Sequence, residues 1–121
     1  MKNVTGTISY NGNPYRKDFS KAIGYCDQVD EFLPSVDYTV IDHLSFIGEL
    51  KLPSWMTKTA RMKKIHDLMS VFGLFYCCTA PLYLCSGGER KRVNLCGELL
   101  STPSLLLIDE GTSGKHRFIH C

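Results

Sequence analysis

The sequence has little of several features that assign proteins to broad classes. Its 14 Lys and Arg nearly balance its 12 Asp and Glu, so its charge does not indicate nucleic acid as a partner. No apolar run follows residues 1–5, and we therefore expect no signal peptide. The longest uncharged run, residues 68–88, is broken by glycine, proline and hydroxyl side chains, so we expect no membrane-spanning segment.

The cysteines also lack the spacing of a metal site. Zinc sites use C-x-x-C pairs or Cys and His at ligand spacing, which the adjacent Cys77 and Cys78 do not supply. Because no secretory signal accompanies the six cysteines, we expect free thiols in a reducing compartment. His116, His120 and Cys121 could hold a metal adventitiously, but we expect no structural metal.

The chain is long enough for one domain with a hydrophobic core. It begins with β-structure, since residues 7–10 alternate polar and apolar side chains and end at the tight-turn dipeptide Asn11-Gly12. Asn13-Pro14 is expected to continue that turn. Residues 22–25 predict a second short strand, and residues 29–37 predict a loop.

Three helices are predicted in the middle of the chain. Thr39 and Asp42 form a capping box that starts the first, and Leu52-Pro53 ends it. The second helix is expected over residues 58–72, and the third over residues 86–100. The residues expected to face the core are Val40, Ile41, Leu44, Ile47 and Leu50, then Met62, Ile65, Leu68, Met69 and Phe72, then Val93, Cys96 and Leu99.

The start of the third helix carries a motif that an anion could approach. Ser86 and Glu89 form a second capping box, in which each side chain satisfies an amide at the helix start. Gly87 and Gly88 have no Cβ, so a ligand can reach the main chain. The free N–H groups and the helix dipole favour a phosphate there. An ordinary capped surface helix would also explain the capping box. The choice between that interpretation and a phosphate site therefore depends on the rest of the chain.

The apolar run at residues 105–108 fits a strand that is buried on both faces of a parallel sheet. Asp109 and Glu110 follow it, at the carboxyl end of the strand where ligands bind in α/β sheets. One acid can hold a hard cation such as Mg²⁺ while the other polarises a water. A strand-ending turn with exposed acids explains the pair equally well.

Together these motifs resemble the ATPase domain of ABC transporters. Their amino-acid sequences are most similar to those of the subfamily G (White-type) half-transporters. Ser86-Gly87-Gly88-Glu89 resembles the signature motif, Asp109-Glu110 resembles Walker B, and Gln28 resembles the Q-loop glutamine. The resemblance covers residues 1–114. It implies an α/β fold, a partial P-loop NTPase (ABC ATPase) domain with an inserted helical subdomain at about residues 37–100.

The resemblance also implies ATP and Mg²⁺ as cofactors of the complete domain. Gln28 would contact Mg²⁺ or the attacking water and relay the nucleotide state to a transmembrane domain. Ser86, Gly87 and Gly88, in a binding motif that includes Glu89, would grip the γ-phosphate of ATP bound to a second ATPase domain in a head-to-tail dimer. Asp109 would hold Mg²⁺ and Glu110 would be the general base. The parent transporter would place the chain at the cytoplasmic face of a membrane.

The sequence departs from the family pattern in several places. The phosphate-binding loop G-x-x-x-x-G-K-[ST] (Walker A) does not occur in the 121 residues. After Gly114 the family expects the D-loop and, further on, a switch histidine, whereas residues 115–121 form a divergent tail. Gly111 stands where the family usually has proline. We therefore expect that the isolated chain does not hydrolyse ATP and is marginally folded.

Two functions stay open at this point. The chain is a fragment of the ATP-hydrolysing domain of a transporter, or it is a catalytically inactive truncated product that acts only as an interaction partner of an intact ATPase domain. ABC-type ATPases of DNA repair are excluded, because they insert a long coiled coil where fewer than sixty residues separate Gln28 from Ser86. No nucleic-acid partner is therefore expected.

Overall fold

A computed structural model of the chain describes residues 5–14, 16–26 and 38–109. The first described segment is a small antiparallel hairpin of β1 (Ser9–Tyr10) and β2 (Asn13–Pro14), in which Tyr10 pairs with Asn13. Asn11 (φ 48°) and Gly12 (φ 78°) form its two-residue turn, and two positive φ values in succession are what such a turn requires. The turn dipeptide was predicted correctly. The expectation that Asn13-Pro14 continues the turn is wrong, because those residues form the return strand.

The second sheet joins distant parts of the chain. β3 (Ile23–Cys26) follows a 3₁₀ helix (Lys17–Ala22) and pairs in parallel with β4 (Leu105–Ile108), with Ile23 opposite Leu105 and Cys26 opposite Ile108. The parallel pairing agrees with the prediction. The predicted burial of β4 on both faces is wrong for the described residues, where Leu105, Leu107 and Ile108 are 37%, 46% and 47% exposed. Among the described residues β4 has a strand neighbour on one edge only, so side chains of a second neighbouring strand do not flank its apolar side chains.

Three helices separate β3 from β4. They are α1 (Val40–Lys51), α2 (Lys58–Val71) and α3 (Gly87–Leu99), each within one or two residues of its predicted bounds. Thr39 caps α1 with the predicted capping box, and Gly73 follows α2 in the left-handed conformation at φ 61°.

Of the predicted inward-facing residues, Leu50 is wrong, whereas Leu99 and Met62 are partly buried and lie outside the core cluster. Leu50 is 67% exposed, because it lies about 120° around the helix from the buried Leu44. On α3, Val93 and Cys96 are fully buried as predicted, but Leu99 is only partly buried. Leu100, which caps the C-terminus of α3, is fully buried instead.

The hydrophobic core lies between the three helices and the loop that joins α2 to α3. The loop contributes Leu74, Cys77, Leu82 and Cys85, and it is held against the start of α1 by the bond from the Leu82 N–H to the Tyr38 carbonyl, 3.0 Å. The remaining buried members are Val40, Leu44, Ile65, Met69, Val93, Cys96 and Leu100. Because Cys85 precedes Ser86, the core fixes the position at which α3 begins. In the part of the chain that the structure describes, no helix is long and apolar enough to cross a membrane.

Candidate functional site

The start of α3 has the predicted capping geometry. Ser86 is the N-cap, with extended backbone at φ −61° and ψ 158°. Its hydroxyl oxygen accepts the Glu89 N–H at 3.3 Å, and the Glu89 carboxylate accepts the Ser86 N–H at 2.6 Å. Two amides at the helix start are thereby satisfied, as the sequence predicts.

The Glu89 carboxylate receives two further hydrogen bonds. The Ser86 hydroxyl donates to its Oε2 at 2.6 Å, and the Tyr76 hydroxyl donates to its Oε1 at 2.7 Å. Arg92 Nη2 in turn donates to the Tyr76 oxygen at 3.0 Å. The Ser86 hydroxyl, the Tyr76 hydroxyl and the Ser86 N–H, in that order, lower the pKa of Glu89 to about 2, because all three favour the ionised carboxylate. The hydrogen bond from the Tyr76 hydroxyl to Glu89 also raises the pKa of Tyr76, because it favours the protonated phenol.

Gly87 leaves the other side of the helix start open. A Cβ added at this residue would meet no atom within 4 Å, so an incoming oxygen atom has an unobstructed path to the first turn of α3. Gly88, the next residue, is partly buried. Arg90 Nη1 donates to the Cys85 carbonyl at 3.0 Å and ties the first turn back to the residue before the motif.

The second predicted site, for Mg²⁺ and water, consists of Gln28, Asp109 and Glu110. Of these three residues the structure describes only Asp109. It lies exposed just after β4, where its N–H continues the parallel pairing by donating to the Cys26 carbonyl at 3.0 Å. Gln28 and Glu110 lie outside the described residues. An exposed carboxylate at the carboxyl end of a parallel strand suits a hard cation. Within the described ranges, no group of three or more His, Cys, Asp and Glu side chains could hold a metal ion.

The structure therefore describes two separate groups, the capped start of α3 and the acid after β4. Tyr76 and Arg92 were missed by sequence reasoning. Tyr76 precedes Ser86 by ten residues and lies in a one-turn 3₁₀ helix (Phe75–Cys77), which is too short for a periodic pattern to mark it. Arg92 stands three residues after Glu89, a spacing that predicts a contact between the two on the helix surface, but its Nη2 donates to Tyr76.

Comparison with known proteins gives consistent results for sequence and for fold. Residues 1–113 match the family model described as ABC transporter. The chain is 37% and 40% identical to ABC transporter G family members 21 and 26 of Arabidopsis thaliana, over 92% and 93% of its own length and 17% of theirs. It is also 36% identical to ABC transporter G family member 1 of Dictyostelium discoideum, over 93% of its length and 15% of that protein.

Among solved structures, cbiO1 from Clostridium perfringens, part of the ABC transporter complex cbiONQ, is similar in fold. Its TM-score is 0.74 at 23% identity, with 94% of this chain and 46% of cbiO1 covered. The parallel strand pair and the helical unit between its strands thus have the P-loop NTPase fold of an ABC ATPase. The chain belongs to the ABC transporter family, as its motifs predict. It spans less than a fifth of the length of the G family relatives named here.

Proposed function

We propose that this chain forms part of the ATP-binding and ATP-hydrolysing domain of a membrane transporter of the G family type. The observation that carries the proposal is the start of α3, where a capped serine and an open glycine form the segment that resembles the family's signature motif. The family's ATPase domains work with a transmembrane domain at the cytoplasmic face of a membrane. We propose the same partner and the same location for the transporter to which this chain would belong.

The described residues of the proposed site have surroundings that suit the roles we propose for them. Ser86, Gly87 and Gly88 would hold the γ-phosphate of ATP bound to a second ATPase domain, because N–H groups and a hydroxyl converge at the positive end of α3. Asp109 would hold Mg²⁺ through its exposed carboxylate. Gln28 and Glu110, assigned from the motifs alone, would contact the metal or water and act as general base. When bound, ATP would supply the phosphoryl group, and Mg²⁺ would neutralise the negative charge of the phosphates.

The test is binding of the full chain to an intact ATPase domain of a G family transporter, with and without ATP and Mg²⁺. Wild type should co-purify in the presence of nucleotide, and Ser86→Ala should weaken that association about tenfold or more, since it removes a hydrogen bond to a charged group. Ser70→Ala, on the exposed surface of α2, is the matched control and should bind as wild type does. Nucleotide-independent association, or equal binding by both variants, would refute the proposal.

A second candidate function, supported by the same capped start of α3, is that of a catalytically inactive interaction partner of an intact ATPase domain. In that case the chain offers Ser86 to a partner's ATP and holds none itself. Photo-crosslinking with an azido-ATP distinguishes the two. Label on this chain in the absence of the partner supports a nucleotide site of its own, whereas label only on the partner supports the inactive partner role.

A further inference from the structure

The Ser86 hydroxyl has one hydrogen, and in this structure it is given to Glu89. The donor and acceptor are 2.6 Å apart, and the same hydroxyl oxygen accepts the Glu89 N–H. A hydroxyl that donates to a carboxylate can offer a phosphate oxygen only its lone pairs, which repel it. A phosphate at the start of α3 therefore requires the Ser86 hydrogen to turn away from Glu89.

We propose that Tyr76 is a positioning residue that makes this exchange possible, by holding the Glu89 carboxylate when the Ser86 hydroxyl leaves it. The inference rests on the proposed function of Ser86. With Tyr76 in place, Glu89 keeps two donors after the exchange, namely the Tyr76 hydroxyl and the Ser86 N–H. Without the phenol it keeps only one, so the Ser86 hydroxyl is released at greater cost and phosphate binds more weakly.

Arg92 fixes the direction of the Tyr76 hydroxyl. A guanidinium has no acceptor, so the Tyr76 oxygen must accept from Arg92 Nη2, which leaves the phenolic hydrogen for Glu89. The Tyr76 side chain is 71% exposed, so packing does not explain its placement and its hydroxyl can be removed without opening a cavity. The bond to the Tyr76 oxygen is donated by Arg92 Nη2. Arg92 Nε is buried and has no hydrogen-bond partner among the described residues, so it takes no part in this contact.

The inference is tested by NMR on the full ¹⁵N-labelled chain, comparing wild type with Tyr76→Phe. The matched control is Tyr83→Phe, which removes the hydroxyl of another exposed tyrosine in the same loop. Inorganic phosphate is titrated at pH 7 against sodium chloride of equal ionic strength, following the amides of residues 86–89. The Glu89 carboxylate is titrated with pH in a separate series.

We expect phosphate to shift these amides in wild type and in Tyr83→Phe with the same affinity. Tyr76→Phe should bind phosphate about three- to tenfold more weakly. This is less than the full worth of a hydrogen bond to a charged group, because the Tyr76 bond to Glu89 is present both with and without phosphate. The substitution should also raise the pKa of Glu89 from about 2, a change that a merely structural role of the ring would not produce. An unchanged phosphate affinity in Tyr76→Phe overturns the inference alone. Phosphate shifts no larger than those caused by chloride in wild type overturn the phosphate-binding role proposed for Ser86, Gly87 and Gly88, and the inference with it.

Discussion

At the scale of single residues, Glu89 stands out among the described side chains, because three donors converge on one largely solvated carboxylate. Its pKa of about 2 lies below the ordinary 4.5. A depressed pKa means that the folded state favours the ionised form more than the unfolded state does. The resulting stability is fully present above pH 4.5 and is lost as the pH falls towards 2.

Replacing Glu89 by Gln should therefore change the acid dependence of folding. The Gln side chain can still cap Ser86 but cannot ionise, so wild type should be the more stable of the two at pH 7, and the difference should shrink as the pH falls from 4.5 to 2. Urea unfolding followed by circular dichroism at several pH values measures it. Glu49→Gln, an exposed change on α1, is the control. A difference between wild type and Glu89→Gln that does not depend on pH would contradict the prediction.

At the scale of elements, the contact between β3 and its neighbours depends on a residue without a side chain. A Cβ at Gly24 would lie 2.9 Å from Leu106 Cδ1 and 3.1 Å from Pro103 Cγ. Leu106 can rotate its terminal methyl, but the Pro103 ring cannot give way as easily. The strand register and the path of the chain after α3 therefore both depend on glycine at this position.

We expect Gly24→Ala to destabilise the chain by about 1–3 kcal/mol, the usual cost of overpacking. Gly87→Ala is the matched control, since its Cβ meets no atom within 4 Å and alanine has the higher helix propensity. Urea unfolding of the two variants should thus show opposite effects on stability. Equal stability of Gly24→Ala and wild type would show that Leu106 and Pro103 adjust at no cost.

The elements also show which features a sequence can predict. The caps at Thr39 and Ser86 and the turn at Asn11-Gly12 were predicted correctly, because each depends on residues that are close in the chain. The burial of β4 and the inward orientation of Leu50 were wrong, because burial depends on which distant elements cover a face. The hydrogen bond from Tyr76 to Glu89 was missed for the same reason, since it depends on how the core folds the loop before α3.

At the scale of the whole molecule, the described residues divide into two parts of unequal packing. The side chains of the helical part meet in one continuous core, with eight large side chains less than 2% exposed. The sheet of β3 and β4 has two strands among the described residues, and most of the apolar side chains of β4 are exposed. Regions with few buried apolar contacts open locally at lower free energy than the core.

Hydrogen exchange should therefore separate the two parts of the full chain. We expect amides of β4 to exchange at least about tenfold faster than the central amides of α3, because local opening exposes little further apolar surface there. Exchange of overlapping peptides, measured by mass spectrometry at pH 7, gives both rates in one experiment. Leu44→Ala supplies the control: it should speed exchange in α1, α2 and α3 together, because these helices share one core. Equal protection of β4 and α3 in wild type would mean that the sheet and the helices unfold as one unit.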